Sequence, residues 1–176
     1  MEMIDHAYVL TTEYINQMPK AQRKQYGQFF TSKETAVFMA GLFAIPEDRS
    51  SLSVLDPGAG SGILSIALLE RLESVKTIDR VEFVCYENDP NIIELLRSNM
   101  DWACRQSTKS VSYKIVTDNY IISQMADYNC SLGANPDADK FDMVIGNPPY
   151  MKIGKDATEA LAMPDVCYGA PNLYFL

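Results

Sequence analysis

SVLDPGAGSGILSIALLERL, Ser53 to Leu72, joins a short apolar run to an amphipathic helical pattern through a turn that holds three glycines. Ser53 to Leu55 reads as a strand and Gly62 to Leu72 as a helix. Glycine between them gives a tight turn through which a ligand can approach the backbone closely before the helix begins. By itself such a turn is weak evidence, since dinucleotide and nucleotide sites use similar ones and some bind nothing. Its context decides the fold. Downstream, Val81 to Tyr86, Val111 to Val116 and Phe141 to Ile145 read as strands, separated by helical patterns at Asn91 to Cys104 and Tyr120 to Met125. This β-α-β-α-β-α-β order predicts an α/β fold built on a parallel sheet with right-handed crossovers. Upstream, Thr11 to Met18 and Thr31 to Phe43 read as helices, the second capped by Thr31 or Ser32 and followed by Pro46. Asn135 to Lys140 is the most loop-like interior segment.

Composition narrows the function. A chain of 176 residues, 47% apolar, can bury one core. No stretch reaches the length of a membrane span and Met1 to Leu10 is not built like a signal peptide, so a cytoplasmic globular protein is expected. The cysteines Cys85, Cys104, Cys130 and Cys167 are widely spaced and His6 is the only histidine, which argues against metal or thiol-redox chemistry. With 23 acidic and 15 basic residues, the net charge of −8 opposes nucleic-acid binding by the whole surface. Local basic candidates are Lys20, Arg23, Lys24, Lys152 and Lys155, which also read as ordinary solvated surface.

In an open parallel sheet the ligand crevice lies at the carboxyl ends of the strands. After the second strand Glu87 can accept hydrogen bonds from both hydroxyls of a ribose, and its position about 25 residues beyond the glycine turn suits that chemistry. After the third, Asp118 can accept from an exocyclic adenine amine. Either carboxylate alone could equally be a helix cap, as Asp89 before Pro90 reads. The fourth strand ends in Asn147-Pro148-Pro149-Tyr150. Prolines lack the N–H a sheet ladder needs, so the strand stops there. Asn147 and the Pro148 carbonyl can accept two hydrogen bonds from one planar amino group, localising its nitrogen lone pair, while the Tyr150 ring stacks on the heterocycle that carries it. A rigid turn with an exposed tyrosine is the plain structural alternative.

These residues together resemble the S-adenosylmethionine-dependent amino-methyltransferases, most closely the adenine-specific DNA methyltransferases of bacterial restriction-modification systems. The similarity runs from about Gln25 to the end and implies a Rossmann-like methyltransferase sheet in the order third, second, first, fourth strand. It divides the chain into an amino-terminal helical segment, 1–46, and a partial catalytic domain, 47–176. YGQFFTS, Tyr26 to Ser32, looks like the family element that closes over the methionine end of the cofactor, with Thr31 contacting its carboxylate. The implied cofactor-binding set is Thr31, Asp56, Pro57, Gly58, Ala59, Gly60, Gly62, Glu87, Asn88, Asp118 and Asn119. The implied catalytic set is Asn147, Pro148, Pro149 and Tyr150, acting on a flipped-out adenine in DNA mainly by orientation and desolvation, which can supply roughly 7–11 kcal/mol. No metal is implied. Methyltransferases of a protein glutamine or of a ribosomal RNA guanine carry the same four-residue motif, and a non-catalytic cofactor-binding module is a further alternative; GQFFTS ahead of the glycine turn favours DNA adenine.

The sequence departs from the family pattern at Asn172 to Leu176, inside what would be the helix after the catalytic strand. The remaining strands, a second aromatic for the flipped base and the DNA-recognition region would lie beyond. The expectation is therefore an amino-terminal piece of a longer polypeptide or a shortened relative, inactive in isolation, that contacts DNA through the missing regions. Its fourth strand, FDMVI, would become an unprotected edge, so self-association is expected unless Ala157 to Leu176 folds back over it.

Overall fold

The computed structural model describes residues 2–19, 30–129, 140–149 and 152–164. In chain order these form α1 (Met3–Gln17), α2 (Lys33–Gly41), β1 (Ser51–Asp56), α3 (Ile63–Leu72), β2 (Arg80–Tyr86) and α4 (Pro90–Gln106), followed by β3 (Ser110–Val116), α5 (Tyr120–Ser123), α6 (Met125–Asn129), β4 (Met143–Val144) and α7 (Thr158–Ala162). The four strands are parallel in the order β3-β2-β1-β4, as expected. The register sets Asp56 opposite Cys85, and Leu55 opposite both Val84 and Val144. β4 is shorter than the run Phe141 to Ile145. Only Met143 and Val144 are in the ladder, and backbone bonds from Asp142 to Ser53 and from Ile145 to Leu55 extend it by one contact at each end.

β1, β2 and β3 step outward in one direction, so right-handed crossovers put α3 and α4 on the same face. Alternation along the strands shows the consequence. Val81, Phe83 and Cys85 of β2 are buried, and they share one cluster with Leu96, Met100 and Ala103 of α4 and with Val111, Tyr113 and Ile115 of β3. Glu82, Ser112 and Lys114, one residue out of phase, are exposed. Full burial of each large apolar side chain in this cluster is worth roughly 1.5–3 kcal/mol.

The first helix starts eight residues before the expected Thr11 and ends at Gln17. Met3, Ile4, Ala7 and Thr11 form its buried stripe, and the Thr11 hydroxyl donates to the Ala7 carbonyl instead of capping a helix. Its N-cap, Glu2, makes no side-chain cap; Glu70 of α3 accepts from the Ile4 amide at 2.9 Å in its place. The neighbouring Arg71 caps the other end of α2, donating to the Ala40 carbonyl and, at 2.5 Å, to that of Phe43. A cation at a helix C-terminus and a carboxylate at an N-terminus both oppose the local helix dipole. Two consecutive residues of α3 thereby dock both amino-terminal helices, whose Met3, Ile4, Ala7, Ala36 and Ala40 enter the same core as the strands. Ser32 is the N-cap of α2, accepting from the Thr35 amide. The expected helix Tyr120 to Met125 is two, α5 and α6, because Gln124 leaves helical geometry between them. Most of the loop-like segment Asn135 to Lys140 lies outside the described residues, as do Lys20, Arg23, Lys24, Cys130 and Cys167.

Candidate active site

The glycine turn leaves β1 at Asp56. Gly60 and Gly62 take φ of +54° and +82°, the left-handed region that side chains with a β-carbon disfavour, and no other glycine among the described residues does so. A β-carbon on Gly62 would also lie 2.8 Å from Leu96 Cδ1 of α4. The turn is held from three sides. The Ala59 amide donates to the Tyr86 carbonyl at 2.9 Å, the Gly60 amide to Glu87 Oε2 at 3.0 Å, and Asn99 Nδ2 of α4 to the Ser61 carbonyl at 2.9 Å.

Asp56 is fully buried, and its Oδ2 accepts from the Ser65 hydroxyl at 2.8 Å. Oδ1 has no fully formed hydrogen bond, although the nearby Gly58 amide stabilises the anion somewhat. Burial pushes the carboxyl up to about 7, the Ser65 and Gly58 donors oppose the rise, and the Glu87 charge adds to it. Among the described residues the other buried side-chain atoms without partners are Ser61 Oγ and Asn99 Oδ1, so all three cluster at this one turn.

Glu87 is half-buried at the end of β2. Its Oε1 accepts from the Asp89 amide at 2.8 Å while Oε2 holds Gly60. Burial raises its pKa; the backbone donors work against that, and the Asp89 charge adds to it. Asp89 caps α4 as expected, accepting from the Asn91 amide at 2.9 Å ahead of Pro90. Asn88 is exposed beside it. At the end of β3 Asp118 is exposed, while Asn119 is engaged on both ends: its Oδ1 caps α5 through the Ile122 amide and its Nδ2 donates to Glu159 of α7 at 2.7 Å. Asn119 thus ties the segment after the proline turn to the third strand end. Tyr86 and Tyr120 meet edge to face there, ring centroids 5.0 Å apart.

The proline turn leaves β4 next to the glycine turn. A β-carbon on Gly146 would sit 3.1 Å from Pro57 Cγ and Cδ, so the residue before Asn147 packs directly on the residue after Asp56. Asn147 Nδ2 donates to Thr31 Oγ1 at 3.0 Å. The Phe30 ring lies over the glycine turn, 3.9 Å from where a β-carbon of Gly60 would stand. Residues 30 and 31, the glycine turn and the proline turn therefore converge on one rim. Tyr26 to Phe29 and Tyr150 lie outside the described residues.

Four participants were not singled out from sequence: Phe30 for itself, Ser65, Asn99 and Glu159. Asn99 alone left a signal, as an amide inside the Leu96, Met100, Ala103 apolar stripe of α4. Ser65 and Glu159 sit at positions where any polar residue is ordinary.

A family model described as N-6 DNA Methylase matches residues 4–161. The chain is 32% identical over 157 residues to Type II methyltransferase M.BsuBI of Bacillus subtilis, covering 86% of this chain and 30% of that protein. It is 27% identical over 148 residues to the tRNA1(Val) (adenine(37)-N6)-methyltransferase of Cronobacter sakazakii, covering 77% of this chain and 51% of that protein. A solved structure from Listeria monocytogenes, provisionally assigned to the class I S-adenosylmethionine-dependent methyltransferases, superposes with a TM-score of 0.56 at 18% identity, over 93% of this chain and 46% of that one. The chain spans 30% to 51% of the length of these proteins.

Proposed function

Since the chain belongs to the N-6 DNA methylase family, we propose that it forms the cofactor-binding and catalytic part of an enzyme that methylates the exocyclic amine of adenine in DNA, within a restriction-modification system. The observation that carries this reading is the seating of Gly146 on Pro57, which sets the Asn147-Pro148-Pro149 turn beside the glycine turn at adjacent strand ends.

The residues fit S-adenosylmethionine. Gly58 has nothing within 4 Å of a β-carbon position, so a ligand can approach its backbone, and Asp56 keeps a buried oxygen without a full hydrogen bond at the same turn. Each Glu87 oxygen accepts one amide and retains a lone pair for a ribose hydroxyl. When bound, this cofactor supplies a methyl group activated on a sulfonium. The chain does the rest by placement. Asp56, Pro57 and the backbone from Gly58 through Ala59 and Gly60 to Gly62 shape the methionine end, with Thr31 closing over it. Glu87 and Asn88 serve the ribose, Asp118 and Asn119 the adenine. Asn147 and the Pro148 carbonyl accept the two hydrogens of the target amine and draw its nitrogen toward tetrahedral geometry, Pro149 keeps the turn rigid, and Tyr150 stacks on the base. No side-chain base is required, because the alkylated amine is acidic enough to lose its proton to water.

We place the protein in the cytoplasm, where DNA of a restriction-modification system is reached. No helix among the described residues is long and apolar enough to cross a membrane. A second reading, adenine in transfer RNA, is supported by the Cronobacter sakazakii relative, of whose length the chain covers the larger share. Incubating full-length protein with labelled S-adenosylmethionine and either DNA or transfer RNA, then analysing nucleosides by mass spectrometry, separates the two. N6-methyladenine in DNA is expected. Methylation confined to transfer RNA would replace this reading by the second, and labelled cofactor bound without transfer to either would leave a binding module.

A further inference from the structure

Thr31 and Asn147 lie 116 residues apart, one ahead of α2 and one after β4, and they share a hydrogen bond of 3.0 Å in which the amide nitrogen donates. A primary amide has two unlike ends on one rotatable bond: nitrogen only donates and oxygen only accepts. For Asn147 to accept a hydrogen from a target amine, the oxygen must face the substrate. Flipped by half a turn, the same side chain would present a donor to a donor. A hydroxyl both donates and accepts, so Thr31 selects the amide nitrogen once its own hydrogen is given to another acceptor such as the cofactor's carboxylate, and its lone pairs then fix which end of Asn147 the target meets.

We propose that Thr31 is a positioning residue for methyl transfer, its hydroxyl holding Asn147 Nδ2 so that the carboxamide oxygen is the end turned to the target amine. This rests on the reading of Asn147 as acceptor for that amine, and gives Thr31 a role beyond the cofactor's carboxylate. Three features of the site support it. Thr31 is held in place on its own side, since Ser32 directly after it caps α2 and Lys33 pairs with Asp5 of α1 and with Glu2, the N-cap of that helix. Asn147 is held on the other by Gly146 packed on Pro57 and by the φ-locked Pro148. Phe30, just before Thr31, covers the glycine turn. Phe30 and Thr31 beside the glycine turn and the amide that meets the base are thus linked through one hydroxyl.

The test uses full-length protein with Thr31→Val, which keeps shape and loses the hydroxyl, Thr31→Ser, which keeps the hydroxyl, Asn147→Ala, and the Thr31→Val/Asn147→Ala pair. Single-turnover methyl transfer is measured at saturating cofactor, with cofactor Kd by calorimetry and the Asn147 side-chain amide signals by 15N NMR. Thr31→Val is expected to slow transfer roughly tenfold, the scale of one lost hydrogen bond, and Thr31→Ser to restore it. In the Asn147→Ala background the Thr31→Val change should cost nothing further. The Asn147 amide protons should exchange faster in Thr31→Val and at the normal rate in Thr31→Ser, in the absence of any substrate. A Thr31→Val enzyme that transfers at the normal rate once saturated, with only Kd raised, would overturn the proposal and leave Thr31 as a cofactor contact. Equal losses from Thr31→Val in both backgrounds would overturn it too. If Asn147→Ala itself transfers normally, the reading of Asn147 as acceptor falls instead, and this proposal with it.

Discussion

Glu87 Oε2 accepts the Gly60 amide at 3.0 Å, so the acid that ends β2 holds the glycine turn that ends β1. The same carboxylate, through Oε1, holds the Asp89 amide that opens α4. Each tie shapes a strand end before any ligand arrives. Replacing Glu87 by alanine removes both, together with the ribose contacts assigned to it. S-adenosylmethionine should then bind at least tenfold more weakly in calorimetry, and the rise in melting temperature that ligand gives by linkage should shrink. The Gly60 amide should also exchange faster in the unliganded protein. Unchanged exchange at Gly60 would show that the turn holds itself.

Asp56 predicts an unusual pH profile. Its carboxyl titrates near 7 in the folded protein against an ordinary value of 3.8, because burial outweighs the Ser65 and Gly58 donors. The folded state thus binds more protons than the unfolded state between those values. Its contribution to stability is full below 3.8 and falls away as pH rises toward about 7, after which it is constant. Asp56→Asn keeps the size and removes the titration. Thermal melts from pH 4 to pH 8 should show the parent losing stability across that window relative to the variant. Parallel curves would mean that the buried carboxyl is compensated by a donor the hydrogen-bond pattern does not reveal.

Gly62 combines a positive φ with a neighbour inside contact distance. Alanine there is expected to cost about 1–3 kcal/mol, from left-handed strain and from overpacking against Leu96. Urea unfolding measures it. Shortening Leu96 to alanine should relieve the second part, so the double variant should lose less than the sum of the two single ones. Strict additivity would assign the whole cost to φ.

Among the described residues β4 closes the strand order on one side, and Val144 on it is 55% exposed. α7 packs on α5, where Glu159 meets Asn119, and the remainder of the segment Ala157 to Leu176, from Asp165 on, lies outside the described residues. An apolar edge of this kind invites pairing. The 176-residue chain is expected to show an apparent mass that grows with concentration in light scattering, and Val144→Lys to reduce that growth. A constant monomeric mass for the parent would remove the expectation of self-association.

What could be read from residues alone was what local chemistry dictates. The turn at Asp56 to Gly62 was legible because left-handed backbone calls for glycine, and the start of α4 because Asp89 before Pro90 is a cap that takes the Asn91 amide. The runs Val81 to Tyr86 and Val111 to Val116 were legible as strands, and the fold turns one of their two faces inward, since successive side chains point oppositely. Tertiary structure decided the rest. α1 begins at Met3, where its Ile4 amide is capped by Glu70, 66 residues away, and nothing near Met3 announces that. Asn99 acquires its task only when α4 lies against the glycine turn. The same holds for Thr31 and Asn147: each could be picked out separately from its motif, but which end of the amide faces the hydroxyl depends on how α2, β1 and β4 pack. A hydrogen bond's direction is a property of three-dimensional placement, and no spacing along the chain encodes it.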